Sequence, residues 1–553
     1  MSNMASPLVL SRNPSWSSSS HSKNEIAVVE QSKELQTTNL VESVTSNHKV
    51  LWKRFLTGDA NEVHDVQRKL NSRHIMMIAI GGTIGTGIFL SAGSSVAIAG
   101  PGSALISYAI IGFFCYAVVI SLGEMASYIP VSGTFAVFAT RFVSPAMGFT
   151  LGWNYWLQWS LSIPSELISA AIILQYWTLK LQAWEWALVI IVPIFTMQLI
   201  HVRIYGESEY WFALIKVIMV IVFIIVGLIY DWGGVKGHPG PGLSNFRHGQ
   251  AFVGGFTGFA QTFVWAFYSY GGVELVSLAA GESARPHITL PRAIRATFFR
   301  VVLFYVLTIL TIGLCINFQD ETLLNAAYNS DVAASPITTV FKRAGYKLLL
   351  LRQLSRGVPI PALLMSLAVS FLSFLTTIWG EGVVFTWFLN IVGISALLVW
   401  GSIGLISLRF RQAWNAQGRN LRDLPYTQPL FPLLPVTTVV LAVLMFIGEG
   451  YAAAMSDPFD WRNIVATYIG VAFYALLFIG FIIYQRYFLR EPRIFIPILE
   501  VDLDTDAVWK QGEGDIIRQR DRELKEKKEL EEGAMHGLRH WIRRLRKVSK
   551  HVY

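Results

Sequence analysis

Cysteine is almost missing from this chain, at 2 of 553 residues. Cys115 and Cys315 both lie inside apolar stretches, which excludes a disulfide framework. Charge is scarce as well: Asp, Glu, Lys and Arg make up 15% of the residues against 53% hydrophobic ones. With a mean hydropathy of +0.46, that balance excludes a soluble multidomain protein of this length. The one Asn-x-Ser/Thr sequence, Asn13-Pro14-Ser15, is spoiled as a glycosylation site by its proline. No early apolar core precedes residue 75, so no cleavable signal peptide is expected and the first span itself directs insertion. Zinc-ligand spacing, a nucleophile elbow and a phosphate-binding motif are all lacking. The chain is therefore expected to be no enzyme and to need no cofactor or metal.

What is present is a series of apolar windows of roughly 18 to 25 residues, each long enough to cross a hydrocarbon core as a helix. They fall near 75–99, 103–127, 146–177, 184–202, 210–230, 252–280, 297–318, 359–379, 383–408, 432–455 and 463–485. The expected class is an all-α polytopic membrane protein with about 11 spans. Residues 1–72 read as a disordered cytosolic tail, 73–493 as the membrane domain and 494–553 as a charged cytosolic tail whose last residues pattern as an amphipathic helix suited to an anionic leaflet. The net charge of +9 falls largely in loops and tail, which calls for no nucleic acid partner.

Orientation follows from Lys and Arg. Lys53, Arg54, Arg68, Lys69 and Arg73 place the N-terminus inside. Arg285, Arg292, Arg295 and Arg300 place the loop after the sixth window inside, and Arg409, Arg411, Arg419 and Arg422 do the same after 383–408. Only three windows separate those two basic loops, and an odd number of crossings cannot return the chain to one side. The mismatch points to the segment between Phe318 and Arg356. Either a crossing is missing there, or 359–408 inserts as a re-entrant pair.

The first window contains Gly81, Gly82, Thr83, Gly85, Thr86 and Gly87. Such glycines serve as packing notches for a neighbouring helix. They also suit a helix unwound at mid-membrane, whose free N–H groups face an anionic substrate group. The second use requires a partner break in the other half of the chain, and Gly271 and Gly272 of "AFYSYGGVELV" supply one in the sixth window. A nucleotide loop is excluded because no strand precedes the glycines.

Four ionisable residues lie within spans, where charge is costly and seldom idle. Glu166 beside Pro164 either packs as a neutral group or faces substrate. Lys216, the one cation of its span, either snorkels to an interface or works inside. Glu274 either braces the second break or touches substrate, and Glu124 reads as structural. The cluster Trp153, Tyr155, Trp156 and Trp159 reads as lipid-interface and helix-packing material.

The stretches "RHIMMIAIGGTIGTGIFLSAGSSVAIAGPGSALISYAIIG", "GEMASYIPVSGTFAVFATRFVSPAMGFTLGWNYW", "ESARPHITLPRAIRATFFRVVLFY" and "EVDLDTDAVW" resemble the fungal amino acid permeases, part of the amino acid, polyamine and organocation transporters. The resemblance runs from about Asn71 to Trp509 with one gap. It implies a five-plus-five inverted repeat with two further spans, broken spans one and six, and proton-coupled import of amino acids across the plasma membrane. It further implies that N–H groups at Gly85, Thr86 and Gly87 hold the substrate carboxylate. Carbonyls around Tyr268, Ser269, Tyr270 and Gly271 would hold its ammonium, and Lys216 would serve proton coupling. Substrate, protons and lipid are the implied partners, with trafficking or ubiquitination machinery at the tails.

The chain departs from that pattern after Lys347, where Gly357-Val358-Pro359 arrives almost at once and span eight is absent near 347–357. A transport-defective variant retained in the endoplasmic reticulum, and an amino acid sensor that does not transport, are the alternatives. Glu166 alone does not establish a cationic substrate.

Overall fold

The computed structural model describes residues 84–524 except 86, 176–180, 199–201, 236–238, 248, 279–285, 321–322, 325–366, 456–460, 491–492 and 521. Among the described residues the chain is all-helical, with no strand. A π turn, Gly87–Ser91, runs into α1 (Ala92–Tyr128). Then come α2 (Thr134–Phe142), α3 (Pro145–Gln175), α4 (Ala183–Gln198), α5 (Val202–Asp231), α6 (Gly255–Tyr270), α7 (Leu275–Leu278) and α8 (Pro286–Cys315). After the undescribed stretch 325–366 follow α9 (Leu367–Trp379), α10 (Glu381–Ala416), α11 (Leu433–Ala454) and α12 (Trp461–Tyr487). Every apolar window of the sequence carries a helix.

Among the described residues, five helices are individually long and apolar enough to cross a bilayer, at Ala92–Tyr128, Tyr210–Asp231, Val383–Ala416, Leu433–Ala454 and Ile464–Tyr487. They show large apolar side chains outward, such as Val443, Leu444 and Ile447 of α11 and Ile469, Leu476 and Ile483 of α12. An apolar outer face of that kind is stable only against lipid. Inside, aromatic rings join the helices: Trp400 of α10 lies edge-on to Phe114 of α1 at 5.3 Å and against Phe267 of α6 at 4.5 Å.

The first two windows are one bent rod. α1 changes direction at Gly100 (φ 81°, ψ 162°), with Pro101 next to it. A side chain at Gly100 would sit 2.7 Å from the carbonyl oxygens of Gln250 and Ala251, and its positive φ also disfavours one. The helical bonds lost there are made again by the loop before α6. Gly102 and Ser103 N–H donate to Ala251 O at 2.8 and 3.3 Å, and Val253 N–H donates to Ala99 O at 2.9 Å. Water is not needed to satisfy this interruption.

One face gathers the basic loops. There Glu124, fully buried near the end of α1, pairs with both Arg411 nitrogens Nε and Nη2, the latter at 2.8 Å, and accepts the Gln428 N–H. Residues 493–518 of the C-terminal tail lie across the same face. Arg141 of α2 donates to Thr505 O at 2.9 Å and pairs with Asp506 at 2.5 Å, while Arg419 grips Asp504 at 2.8 and 2.6 Å. Asp504 raises the Arg419 pKa above its ordinary value through those bonds. Trp509 is buried, donating its indole N–H to Asp423 O at 2.7 Å with its ring 5.6 Å from that of His287 at the start of α8.

Hence α8 starts on this face, and α10 returns to it at Ala416. The far end of α8 lies at the opposite face, where Asn317 donates to Asn245 and Gln250 at 3.2 and 3.0 Å. An even number of crossings must then separate Cys315 from Glu381. Among the described residues only α9 lies between them. The expected gap near 347–357 falls outside the described residues, as do residues 1–83 and the amphipathic end of the tail.

Candidate functional site

The helix α6 stops at Tyr270 because Gly271 (φ −53°, ψ 143°) leaves the helical region and Gly272 (φ 93°) takes a conformation that favours glycine. It resumes at Leu275 as α7. Gly271 N–H turns back to Tyr268 O at 3.2 Å. Two tyrosines hold the last turn of α6 from neighbouring helices. Tyr305 of α8 donates to Ser269 O at 2.6 Å, and Tyr108 of α1 lies 3.0 Å from Ser269 Oγ. Tyr270 turns away from the break, donating to Tyr108 O at 3.1 Å and stacking on Tyr305 at 4.3 Å.

Glu274 sits inside the break, fully buried. Its carboxylate accepts Tyr155 OH of α3 at 3.3 Å, Trp400 Nε1 of α10 at 3.2 Å, and the N–H groups of Gly272 and of Glu274 itself. It braces the unwound backbone and ties it to two more helices. Among the described residues, the carbonyls of Tyr270 and Gly271 accept no backbone hydrogen bond. A buried carbonyl at this depth is costly unless something polar meets it.

The first break faces the second. Ile84 and Gly85 bend, and the helix begins at Gly87, so the first N–H groups of this half-helix have no intrahelical acceptor. A side chain on Gly87 would overlap Ser269 Cα and stand 2.9 Å from Ser269 Oγ. Only a glycine allows the two interrupted backbones to touch. A Cβ on Gly85 would stand 3.9 Å from Glu166 Oε1, and Tyr268 OH donates to that same oxygen at 3.4 Å. Glu166 itself is exposed rather than packed away.

The structure thus brings together Gly85, Gly87, Glu166, Tyr268, Ser269 and Gly271, while Thr86 lies outside the described residues. Lys216 is buried on α5, a helix packed against α8. Glu124 lies at the end of α1 among the basic loops, away from the breaks, in the pair with Arg411. Of the aromatic cluster, Trp153 and Trp156 meet edge to face at 5.6 Å, whereas Tyr155 belongs to the Glu274 hub. Sequence reasoning missed Tyr108, Tyr305 and Trp400. Their partners are 161, 36 and 126 residues away in the chain, so no local spacing announces them.

The profile of the amino acid permease family matches residues 74–351 and 352–493. The lysine-specific permease LysP of Escherichia coli is 38% identical over 477 residues, covering 79% of this chain and 97% of that protein. LysP of Lactococcus lactis is 34% identical over 512 residues, covering 83% and 98%. The general amino-acid permease GAP1 of Saccharomyces cerevisiae is 32% identical over 506 residues, covering 82% of each.

Proposed function

From the chain's membership of the amino acid permease family, a family of transporters and not of enzymes, we propose that it imports amino acids across the plasma membrane of a fungal cell, as a proton symporter working by alternating access. The observation that carries this reading is the contact of two backbone interruptions, Gly87 on Ser269, with an acid beside them. A half-helix N-terminus presents N–H groups to the substrate carboxylate at Gly85, Thr86 and Gly87. On the other side the ammonium meets carbonyls of the Tyr268–Gly271 stretch. Tyr270 and Gly271 are best suited, since Ser269 O already accepts from Tyr305. Lys216, a buried cation within its span, serves proton coupling. The basic face, with its Lys and Arg excess, is cytosolic.

Glu166 gives the substrate side chain a cationic preference. Its carboxylate is exposed, accepts Tyr268 OH at 3.4 Å and stands 3.9 Å from where a Cβ on Gly85 would lie. The two LysP relatives are named as lysine-specific. Expression of the chain in cells lacking basic amino acid uptake should give saturable entry of labelled lysine that a protonophore abolishes. Entry of neutral amino acids at the same rate would refute the preference, and no entry of any amino acid would refute import.

A second reading, a transport-defective form without span eight, is favoured by the crossing parity and by two features of the alignments. The family profile is interrupted at 351/352, inside the stretch in question. The LysP alignment of 477 residues takes in 79% of these 553, about 437, which leaves about 40 positions of that relative without a counterpart. That is about one span with its connections. Resequencing the transcript between codons 340 and 360 decides whether the shorter form is made. Retention in the endoplasmic reticulum would mark it as inactive, and saturable binding at the cell surface without entry would mark a sensor.

A further inference from the structure

The broken helices are held from two sides. Tyr108 and Tyr305 reach the break from α1 and α8, and Trp400 reaches it through Glu274 from α10. The cytosolic ends of the same three helices are joined by neither a loop nor direct ion pairs alone, but by the tail. Trp509 touches all three: its carbonyl accepts Tyr128 OH at the end of α1 at 3.4 Å, its ring faces His287 at the start of α8, and its indole donates to Asp423 in the turn after α10. The preceding Val508 N–H donates to Tyr128 O at 2.9 Å.

We propose that residues 496–518 form a latch that holds the cytosolic mouth shut and leaves its seat when the site opens inward. The proposal rests on the permease reading above. The seat combines apolar anchors with an ion pair at its rim. Val501, Leu503 and Trp509 are buried, Ile496, Val508 and Ile517 pack beside them, and the pair Arg419–Asp504 leaves Asp504 exposed. Exposed pairs of this kind hold weakly and let go readily. Opening at this face separates α10 from α1 and α8, which parts the Glu124–Arg411 pair and requires Trp509 to leave Tyr128, His287 and Asp423.

The test uses the full chain with Cys115 and Cys315 replaced by serine and a reporter cysteine, Ser165→Cys, beside Tyr268 in the site. Inside-out membrane vesicles are treated with an impermeant thiol reagent. Trp509→Ala is expected to speed labelling of the reporter at least about 5-fold; Asp504→Arg should do so more weakly, and adding Arg419→Asp should restore the slow rate. Equal rates in all four proteins overturn the latch, as does a swap that fails to restore. This readout needs no transport, so it decides the latch even if no variant takes up amino acid, an outcome that would count against the permease reading instead. In a transport arm, Arg419→Cys with Asp504→Cys is joined by a cleavable bismaleimide. Uptake of labelled lysine should fall at least about 10-fold with binding kept, and recover on cleavage. Unchanged uptake, or loss of binding together with uptake, overturns the proposal.

Discussion

The chain interrupts its helices in two ways within the same half of the molecule. At Gly100 the backbone swings out of the helical region, and within two residues on either side Ala251 and Val253 take up the groups set free. At Gly271 to Glu274 a similar swing leaves the carbonyls of Tyr270 and Gly271 without a backbone donor among the described residues, while side chains from three other helices pin the segment in place. In a solvent that offers no hydrogen bonds, the first interruption is closed within the scaffold, and the second is the kind that the proposed substrate site requires. Glycine content alone does not separate them; the fate of the backbone groups does.

That contrast is most directly tested by placing a branched side chain at each. Gly87→Val, which forces the two broken segments apart, should reduce binding and uptake of labelled lysine at least about 100-fold while the chain still reaches the membrane; retention of either within a few-fold would erase the distinction. Next in size, Glu166→Gln is expected to cost about 10- to 30-fold in kcat/KM for lysine, about 1.4 to 2 kcal/mol, with neutral substrates changed little. Equal losses for both classes would assign Glu166 to packing. Tyr305→Phe removes one hydrogen bond from Ser269 O, and a bond of this kind contributes about 0.5 to 1.5 kcal/mol. A KM rise of about 3- to 10-fold with unchanged kcat is the expected signature of a looser break. The smallest effect on transport belongs to Gly100→Ala. It should lower the melting temperature of the purified protein by several degrees, yet leave KM for lysine within about 2-fold. A large KM change there would mean that the hinge also shapes the site.

Much of this was legible in the sequence, for a physical reason. A span must be apolar along its whole length, so each window is visible as composition, and each carries a helix. The breaks at Gly85 and Gly271 were visible because the two glycine clusters fall in the first and sixth windows, where an inverted repeat needs paired interruptions. The sequence did not reveal that Gly100 is a hinge closed by Ala251, because the donors and acceptors there are main-chain groups common to every residue. Nor did it reveal the brace of Tyr108, Tyr305 and Trp400, since aromatic residues are as common in plain packing. Glu124 illustrates the converse: the sequence marked it as structural, but only the fold names Arg411. The tail motif was visible as a family likeness without any hint of its seat on Tyr128 and His287.

The touch between Gly87 and Ser269 also sets a timetable for biogenesis. The two glycine-rich segments leave the ribosome with four other helices between them, so the first waits in the insertion machinery as a half-helix whose partner has not been synthesised. Until α6 arrives, its bare N–H groups have only lipid or a chaperone for company. Quality control therefore has a long interval in which to sense a chain whose second half is out of register.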